Sequence, residues 1–367
     1  MPLNLRPATG VRLASVLASV LTSVLLAAGP APSKPAASAV ALKVMPMGSS
    51  TTAGSIPGGY RSDLYWMLTS AGRPVDFVGA VTDTGPAQLP DRDHEGHGGY
   101  VIDQLTAIAT ARMQTYQPDA VLLHAGANDV LQNRDLANAP TRLETLIDTL
   151  LAVKPDAAVY VSTVGPLGDP AANARAATYN NAIAWVVQKK IDQGRTVKFV
   201  DLRGALLASD VGADKIHLTH SGNTKLASRW YAALAGTPIA RVEAETATFS
   251  PAVGGTAPHA ASTPNASANG KAGWIDEPGE WAEVTVNAPY AGAFRIFVRG
   301  GNGTTTPCAH TLTVNGGQSR TITYPPYGWE NWTVQAQDVT LTAGPNKLRF
   351  AKHTCYAELD SIDLTLR

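Results

Sequence analysis

The 367 residues suffice for two domains, and 29 Lys and Arg balance 29 Asp and Glu, which excludes a nucleic-acid binder working through a bulk basic surface and an acidic solvating tail. Hydrophobic residues at 44%, charged ones at 16%, and 33 Gly with 25 Pro describe a folded, turn-rich chain rather than a disordered or coiled-coil one. Two cysteines exclude a disulfide scaffold and a multi-thiolate zinc array.

Residues 1–41 read as an export signal and short linker. Arg6 and Arg12 give a positive start, and Leu13 to Ala28 is apolar apart from small hydroxyl residues. Gly29, Pro30, Pro32 and Pro35 then break any helix, and Ala37-Ser38-Ala39 or Ala39-Val40-Ala41 offers a small-residue cleavage site. The apolar run is short and diluted against the ~20 residues of a membrane span, so the expectation is a secreted, extracellular protein with no membrane attachment after cleavage. Cleavage after residue 41 leaves 26 basic against 29 acidic side chains. An oxidising destination lets Cys308 and Cys355, 47 positions apart, pair.

From Leu42 onward short apolar runs alternate with helical periods. Leu42–Met47, Val75–Gly79, Ala120–His124, Ala157–Ser162 and Val197–Asp201 read as buried parallel strands. Arg61–Ser70, Val101–Thr115, Thr141–Val153 and Ala171–Lys190 read as helices, with Pro140-Thr141 and Glu144 as a capping arrangement on the third. The pattern predicts a three-layer α/β/α domain over 42–238 with a five-stranded parallel sheet, its site at the carboxyl ends of the strands.

Strand one runs into Gly48-Ser49-Ser50-Thr51, where a hydroxyl could be a nucleophile, a helix cap or part of a phosphate-cradling turn. His97-Gly98-Gly99-Tyr100 follows strand two, and a glycine N–H can approach a substrate closely. Strand three ends in Gly126-Ala127-Asn128-Asp129, whose Asn amide can serve an oxyanion or cap a helix. Asp214-Lys215-Ile216-His217 sets a carboxylate one turn before an imidazole, spaced to fix its tautomer; His220 is a competing base without an acid three residues ahead. The two His of His94-Glu95-Gly96-His97 have the wrong spacing for a zinc pair and point to loop ordering.

After Arg241 the helical period gives way to alternating segments: Ala282–Asn287, Ala293–Arg299, His310–Val314, Arg320–Tyr324, Val334–Thr342, Lys347–Ala351 and Glu358–Leu366. Seven or more short strands over 241–367 predict an all-β sandwich of the jelly-roll kind, opened by Arg241-Val242-Glu243-Ala244-Glu245 and closed by Leu359-Asp360-Ser361-Ile362-Asp363-Leu364. If first and last strands pair, their carboxylates can meet and hold Ca²⁺; otherwise they are acids on a solvated face.

The four blocks of the first half, in this order, resemble the SGNH (GDSL-type) hydrolase superfamily, which has a flavodoxin-like fold. The resemblance makes Ser50 the nucleophile, Gly99 and Asn128 oxyanion-hole donors, and Asp214 and His217 the remaining pair. Ser49 stands where that superfamily usually has Asp, which implies altered positioning of the turn. Gly59-Tyr60-Arg61-Ser62-Asp63-Leu64-Tyr65, Asp76-Phe77-Val78-Gly79 and Asp93-His94-Glu95-Gly96-His97 are similar to carbohydrate esterase family three, the acetylxylan esterases. The second half resembles carbohydrate-binding module families six and thirty-five through Gly273-Trp274-Ile275-Asp276, Tyr327-Gly328-Trp329-Glu330-Asn331-Trp332 and its last strand. That resemblance implies a structural calcium on Glu243, Glu245 and Asp363. It also implies sugar stacking on Trp274 and Trp329, a polar contact at Glu358, and Trp332 and Trp281 in the core. His353 and Tyr356 are alternative sugar contacts.

The expectation is a secreted, monomeric serine esterase that removes acetyl groups from plant cell-wall polysaccharide, acetylated xylan above all, with no cofactor for catalysis and a sandwich that holds it to polymer. The alternatives are an SGNH lipase or small-ester esterase, and a non-catalytic carbohydrate-binding protein in which Ser49 marks a decayed site.

Overall fold

The structure, a computed structural model, describes residues 40–82, 85–237, 239–263 and 265–366. The export segment lies outside the described residues up to position 39.

The first half forms strands β1 (Leu42–Gly48), β2 (Val75–Phe77), β3 (Val81–Thr82), β4 (Asp93–Gly96), β5 (Ala120–His124), β6 (Ala158–Ser162) and β7 (Val197–Val200). Its helices are α1 (Ser50–Ala53), α2 (Gly59–Ser70), α3 (Ile102–Tyr116), α4 (Ala127–Leu131), α5 (Ala139–Val153), α6 (Pro170–Asp192) and α7 (His220–Ala235). The sheet order is β3-β4-β1-β5-β6-β7 with β2 also beside β1, and every pairing but β3 with β4 is parallel. The α/β expectation holds, and the five parallel positions are there. One of them is shared, because β2 pairs with Leu42–Val44 and β4 with Met47–Gly48 of the same β1 edge.

Two apolar layers sandwich the sheet. Met45, Met47, Val121, Leu123, Val159 and Val161 pack against α3, α5 and α6, while Val44, Phe77, Ala120 and Leu122 pack against α2 and α7. The alternation along β1 and β5 is why both faces read as near-continuous apolar runs. The capping arrangement at Pro140 does not form: α5 starts at Ala139 after Asn138, and Glu144 is drawn away by Lys189 (2.7 Å) and Lys190 (2.9 Å) of α6.

The second half is the expected antiparallel sandwich. One sheet holds β10 (His259–Ser262), β11 (Gly270–Gly273), β18 (Glu358–Leu366), β13 (Gly292–Asn302) and β16 (Gly328–Leu341), with β8 (Ile239–Glu243) on β18. The other holds β15 (Ser319–Tyr324), β14 (Cys308–Val314), β17 (Gly344–Lys352), β12 (Trp281–Ala288) and β9 (Thr248–Phe249). Cys308 and Cys355 form a disulfide with Cα atoms 4.9 Å apart.

The first sheet does not hang from the α/β layer by a string. Phe297 and Val334 belong to the same buried cluster as Tyr60, Trp230 and Tyr231, and Phe297 meets the Tyr231 ring edge-on at 4.5 Å. Arg295 Nη1 donates to the Ala71 carbonyl at the end of α2 (2.9 Å), and Arg299 Nε donates to Asp63 within α2 (3.1 Å).

Candidate functional site

Strand β1 is buried from Val44 on and delivers Gly48 to the mouth of the sheet, where the chain turns at once into α1. The Ser49 carbonyl accepts the Thr52 and Ala53 N–H groups (3.1 and 2.9 Å), which leaves Ser50 as the first helical residue with its amide unused by the helix. The Ser49 side chain is buried and caps nothing. The far end of α1 is held by Arg61, a fully buried residue of α2 whose Nε and Nη2 donate to the Thr52 and Ala53 carbonyls (3.2 and 3.1 Å).

The loop before α7 returns to this turn. His217 Nδ1 donates to Asp214 Oδ2 at 2.6 Å, which leaves Nε2 to accept from Ser50 Oγ at 2.9 Å. Asp214 Oδ1 accepts the Ile216 and His217 amides (3.0 and 2.9 Å). Those amides, then the His217 ring, hold the Asp214 carboxyl down at about 2, so it is a fixed anion across the working range. His220 is not in this line. It faces a cleft against the sandwich, and burial followed by the Arg299 charge pushes its pKa down.

The opposite wall of the crevice carries Asn128 in α4, whose Nδ2 donates one hydrogen to the Tyr100 carbonyl (2.9 Å), leaving the second uncommitted. A Cβ at Gly126, where φ is 101°, would lie 2.3 Å from the Tyr179 ring, so only glycine lets α4 start this close to α6. Gly99 also has positive φ, 82°, in open space, so its need for glycine is conformational. Its loop is tied down at several points. The His97 amide donates to the Gly48 carbonyl (2.9 Å), His97 Nε2 donates to Glu95 (2.5 Å), and Arg112 holds the same buried carboxylate (2.9 Å). Asp129 Oδ2 then accepts the Ile102 amide at the start of α3 (3.0 Å). The His94–His97 segment thus orders a loop, and the described residues contain no cluster of three or more His, Cys, Asp or Glu able to hold a metal.

Between Ser50 and Asn128 lies a cavity of about 20 Å³, walled by Leu131, Val164, Leu167, Leu206, Ile216 and Leu218. That is little more than one water-sized sphere. His124 forms part of the wall; burial pushes it down to about 4, so its ring is neutral there, and its Nδ1 has no partner.

On the sandwich, Trp274, Trp329 and Glu358 meet through Tyr356. The Tyr356 hydroxyl accepts the Trp274 amide (3.0 Å) and donates to Glu358 Oε1 (2.8 Å), and the Trp329 and Tyr356 rings lie 5.0 Å apart. The Trp274 ring stacks on His259 at 4.0 Å, a partner with no local sign in the chain, and Lys271 pairs with Glu358 (2.7 Å). Trp329 is 42% exposed. His353 is turned to Thr311 (3.0 Å). Trp332 is buried, whereas Trp281 is only partly covered, beneath the Arg349 guanidinium (3.9 Å).

The expected calcium set does not assemble as expected. Strands β8 and β18 do pair, but their register sets Asp363 opposite Arg241 and Ser361 opposite Glu243. Both Asp363 oxygens are taken, one by Arg241 Nε (2.7 Å), the other by Arg241 Nη2 and by Ser228 of α7 (2.8 Å). Asp363 is therefore a tie between sandwich and α7. Glu243 and Glu245 each keep a buried Oε2 without a partner. Burial first, then the nearby Asp360 and Glu245 carboxylates against the opposing pull of Arg241, raise Glu243 to about 7.

Residues 47–225 match the GDSL-like lipase/acylhydrolase family. A multidomain esterase of Ruminococcus flavefaciens is 30% identical over 234 residues, 56% of this chain, and this chain spans only 30% of that relative. A family 3 carbohydrate esterase of Clostridium thermocellum, known as a solved structure, is 37% identical over 54% of this chain and 96% of its own, with a TM-score of 0.49. A family 35 carbohydrate-binding module of Clostridium thermocellum is 26% identical over 34% of this chain and 96% of its own, with a TM-score of 0.30.

Proposed function

We propose, from the match of residues 47–225 to the GDSL-like lipase/acylhydrolase family, that the chain is a carbohydrate esterase releasing acetyl groups from polysaccharide, acetylated xylan first among them. The observation that carries this reading is the unbroken line from Asp214 through His217 to Ser50 beside so small an apolar cavity.

In the proposed reaction His217 Nε2 takes the Ser50 proton as Oγ attacks the acetyl carbonyl. Asp214 holds the ring and offsets the imidazolium charge. The oxyanion receives hydrogen bonds from the Ser50 and Gly99 amides and the second Asn128 Nδ2 hydrogen. His217 returns the proton to the departing sugar oxygen, and water then attacks the acetyl-Ser50 ester by the same route, freeing acetate. So narrow a crevice suits a short acyl group better than a long chain, which disfavours the lipase reading.

In the same proposal the protein is secreted and the sandwich grips sugar with Trp274 and Trp329, supported by Tyr356 and Glu358. A divalent cation there would find only the orphaned oxygens of Glu243 and Glu245, because Asp360, like Asp363, is already held, by Arg299 (2.6 Å) and the Ser267 amide (2.6 Å), so the acids present do not make the calcium site that the resemblance implies. Acetate release from acetylated xylan, set against hydrolysis of a long-chain p-nitrophenyl ester, tests the reading. Acetate without long-chain hydrolysis is expected; the reverse overturns it.

A further inference from the structure

A hollow larger than the Ser50 crevice lies apart from both that crevice and the aromatic loop cluster. It is a cleft of about 440 Å³ between the α/β layer and the sandwich, within the ~300–1,000 Å³ range of small-molecule sites. Helices α2 and α7 and the loop before β4 supply one wall; β13 and β16 supply the other. At one rim lie Ile56 and Pro57, just past Ser50, and at another His220, three positions past His217.

Its chemistry is uncommonly unsatisfied. Ser62 Oγ and Gln88 Oε1 on one wall and Trp332 Nε1 on the other are buried without a hydrogen-bond partner, and all three side chains are more than nine-tenths buried. An indole N–H can only donate, an amide oxygen can only accept, and a hydroxyl does both. Leaving such groups bare is unfavourable, so the set matches an occupant with mixed donors and acceptors. An anion is disfavoured: Arg299, the one guanidinium in the lining, is already committed to Asp63 (3.1 Å) and Asp360 (2.6 Å), and Glu330 adds a further carboxylate. A hydrocarbon is disfavoured by the same polar lining.

We propose that this cleft is a second carbohydrate site, shared by the two halves, that holds a neutral stretch of oligosaccharide through Ser62, Gln88 and Trp332. Sugar hydroxyls supply both missing partners at once, an acceptor for the Trp332 indole N–H and donors for Gln88 and Ser62. The segment Tyr327–Trp332 divides the two sugar surfaces, showing Trp329 to the loop cluster and Trp332 to the cleft. The idea rests on the carbohydrate reading of the protein, yet adds a site that the esterase reading does not need.

The test uses the full chain carrying Trp274→Ala and Trp329→Ala, titrated calorimetrically with xylohexaose and with cellohexaose, which hold no ester to turn over. One of the two should still bind saturably, and Gln88→Leu or Trp332→Phe should weaken that binding at least tenfold with p-nitrophenyl acetate hydrolysis unchanged. No residual binding of either sugar, residual binding that neither substitution moves, or binding of glucuronate alone overturns the proposal. Should Trp332→Phe lower the melting temperature, Gln88→Leu decides. Acetate release by the unaltered chain is read separately: acetate without cleft binding overturns the cleft alone, and cleft binding without acetate overturns the esterase reading alone.

Discussion

Ser50 Oγ lies 2.9 Å from His217 Nε2, although 167 positions of chain separate the two residues. Each is delivered by a separate device. The buried β1 strand fixes the serine turn, and the Asp214 carboxylate, accepting two backbone amides and the ring, fixes the histidine.

Asp214→Asn should lower kcat on an acetyl ester by about 10³–10⁴-fold with little change in fold, because an amide no longer selects the tautomer that frees Nε2. With the Asp214 carboxyl depressed from 3.8 to about 2, its ion persists until pH falls through that value. Activity lost on mild acidification should therefore not arise from Asp214; kcat against pH for acetyl ester hydrolysis, in the wild type and in Asp214→Asn, checks this. A wild-type rate in Asp214→Asn would remove the acid from the mechanism.

Asn128→Ala should cost about 10²–10³-fold in kcat at nearly constant KM, the loss of one oxyanion donor. Its Nδ2 also donates to the Tyr100 carbonyl, so the Gly99 loop should loosen as well. Amide hydrogen exchange at 97–102 separates these effects; unaltered kcat with faster exchange would make Asn128 purely structural.

Much of this was legible because the signals are local. Asp-x-x-His needs one turn of chain, and Gly126 and Gly99 announce backbone no side chain would tolerate. What escaped the sequence depends on register and on partners far away. That Asp363 would face Arg241 rather than Glu243 is set by the pairing of β8 with β18, where a shift of two residues would exchange the partners. Strand two forms as β2, shortened to Val75–Phe77, while β4 at Asp93–Gly96, read from the sequence as loop, takes the rest of the same β1 edge. Glu144 has the spacing of a cap, but two lysines of α6 outcompete a backbone amide. Arg61 and Arg299, both buried, carry no local sign of the carbonyls and carboxylates they hold.

The Glu243 carboxyl is raised from its ordinary 4.5 to about 7, so the folded state holds its proton more tightly than the unfolded one. Its stabilising effect is complete below pH 4.5 and is lost as pH rises through 7. In chelator the melting temperature should fall between pH 5 and 8, and Glu243→Gln should flatten that slope. A slope that Glu243→Gln leaves unchanged would refute this account of the acid cluster.

Removing the disulfide with Cys308→Ala and Cys355→Ala should lower unfolding free energy by ~4 kcal/mol on the chain-entropy model for a loop of 47 residues. Denaturant unfolding measures it. The p-nitrophenyl acetate rate at low denaturant should be retained, since both cysteines lie in the sandwich.

The most direct test of the central claim is acetate release by Ser50→Ala beside Ser49→Ala on the same acetylated polysaccharide. The arrangement described predicts that Ser50→Ala releases no acetate above background while Ser49→Ala keeps a measurable rate. Acetate from Ser50→Ala at the unaltered rate, with loss in Ser49→Ala instead, would contradict it.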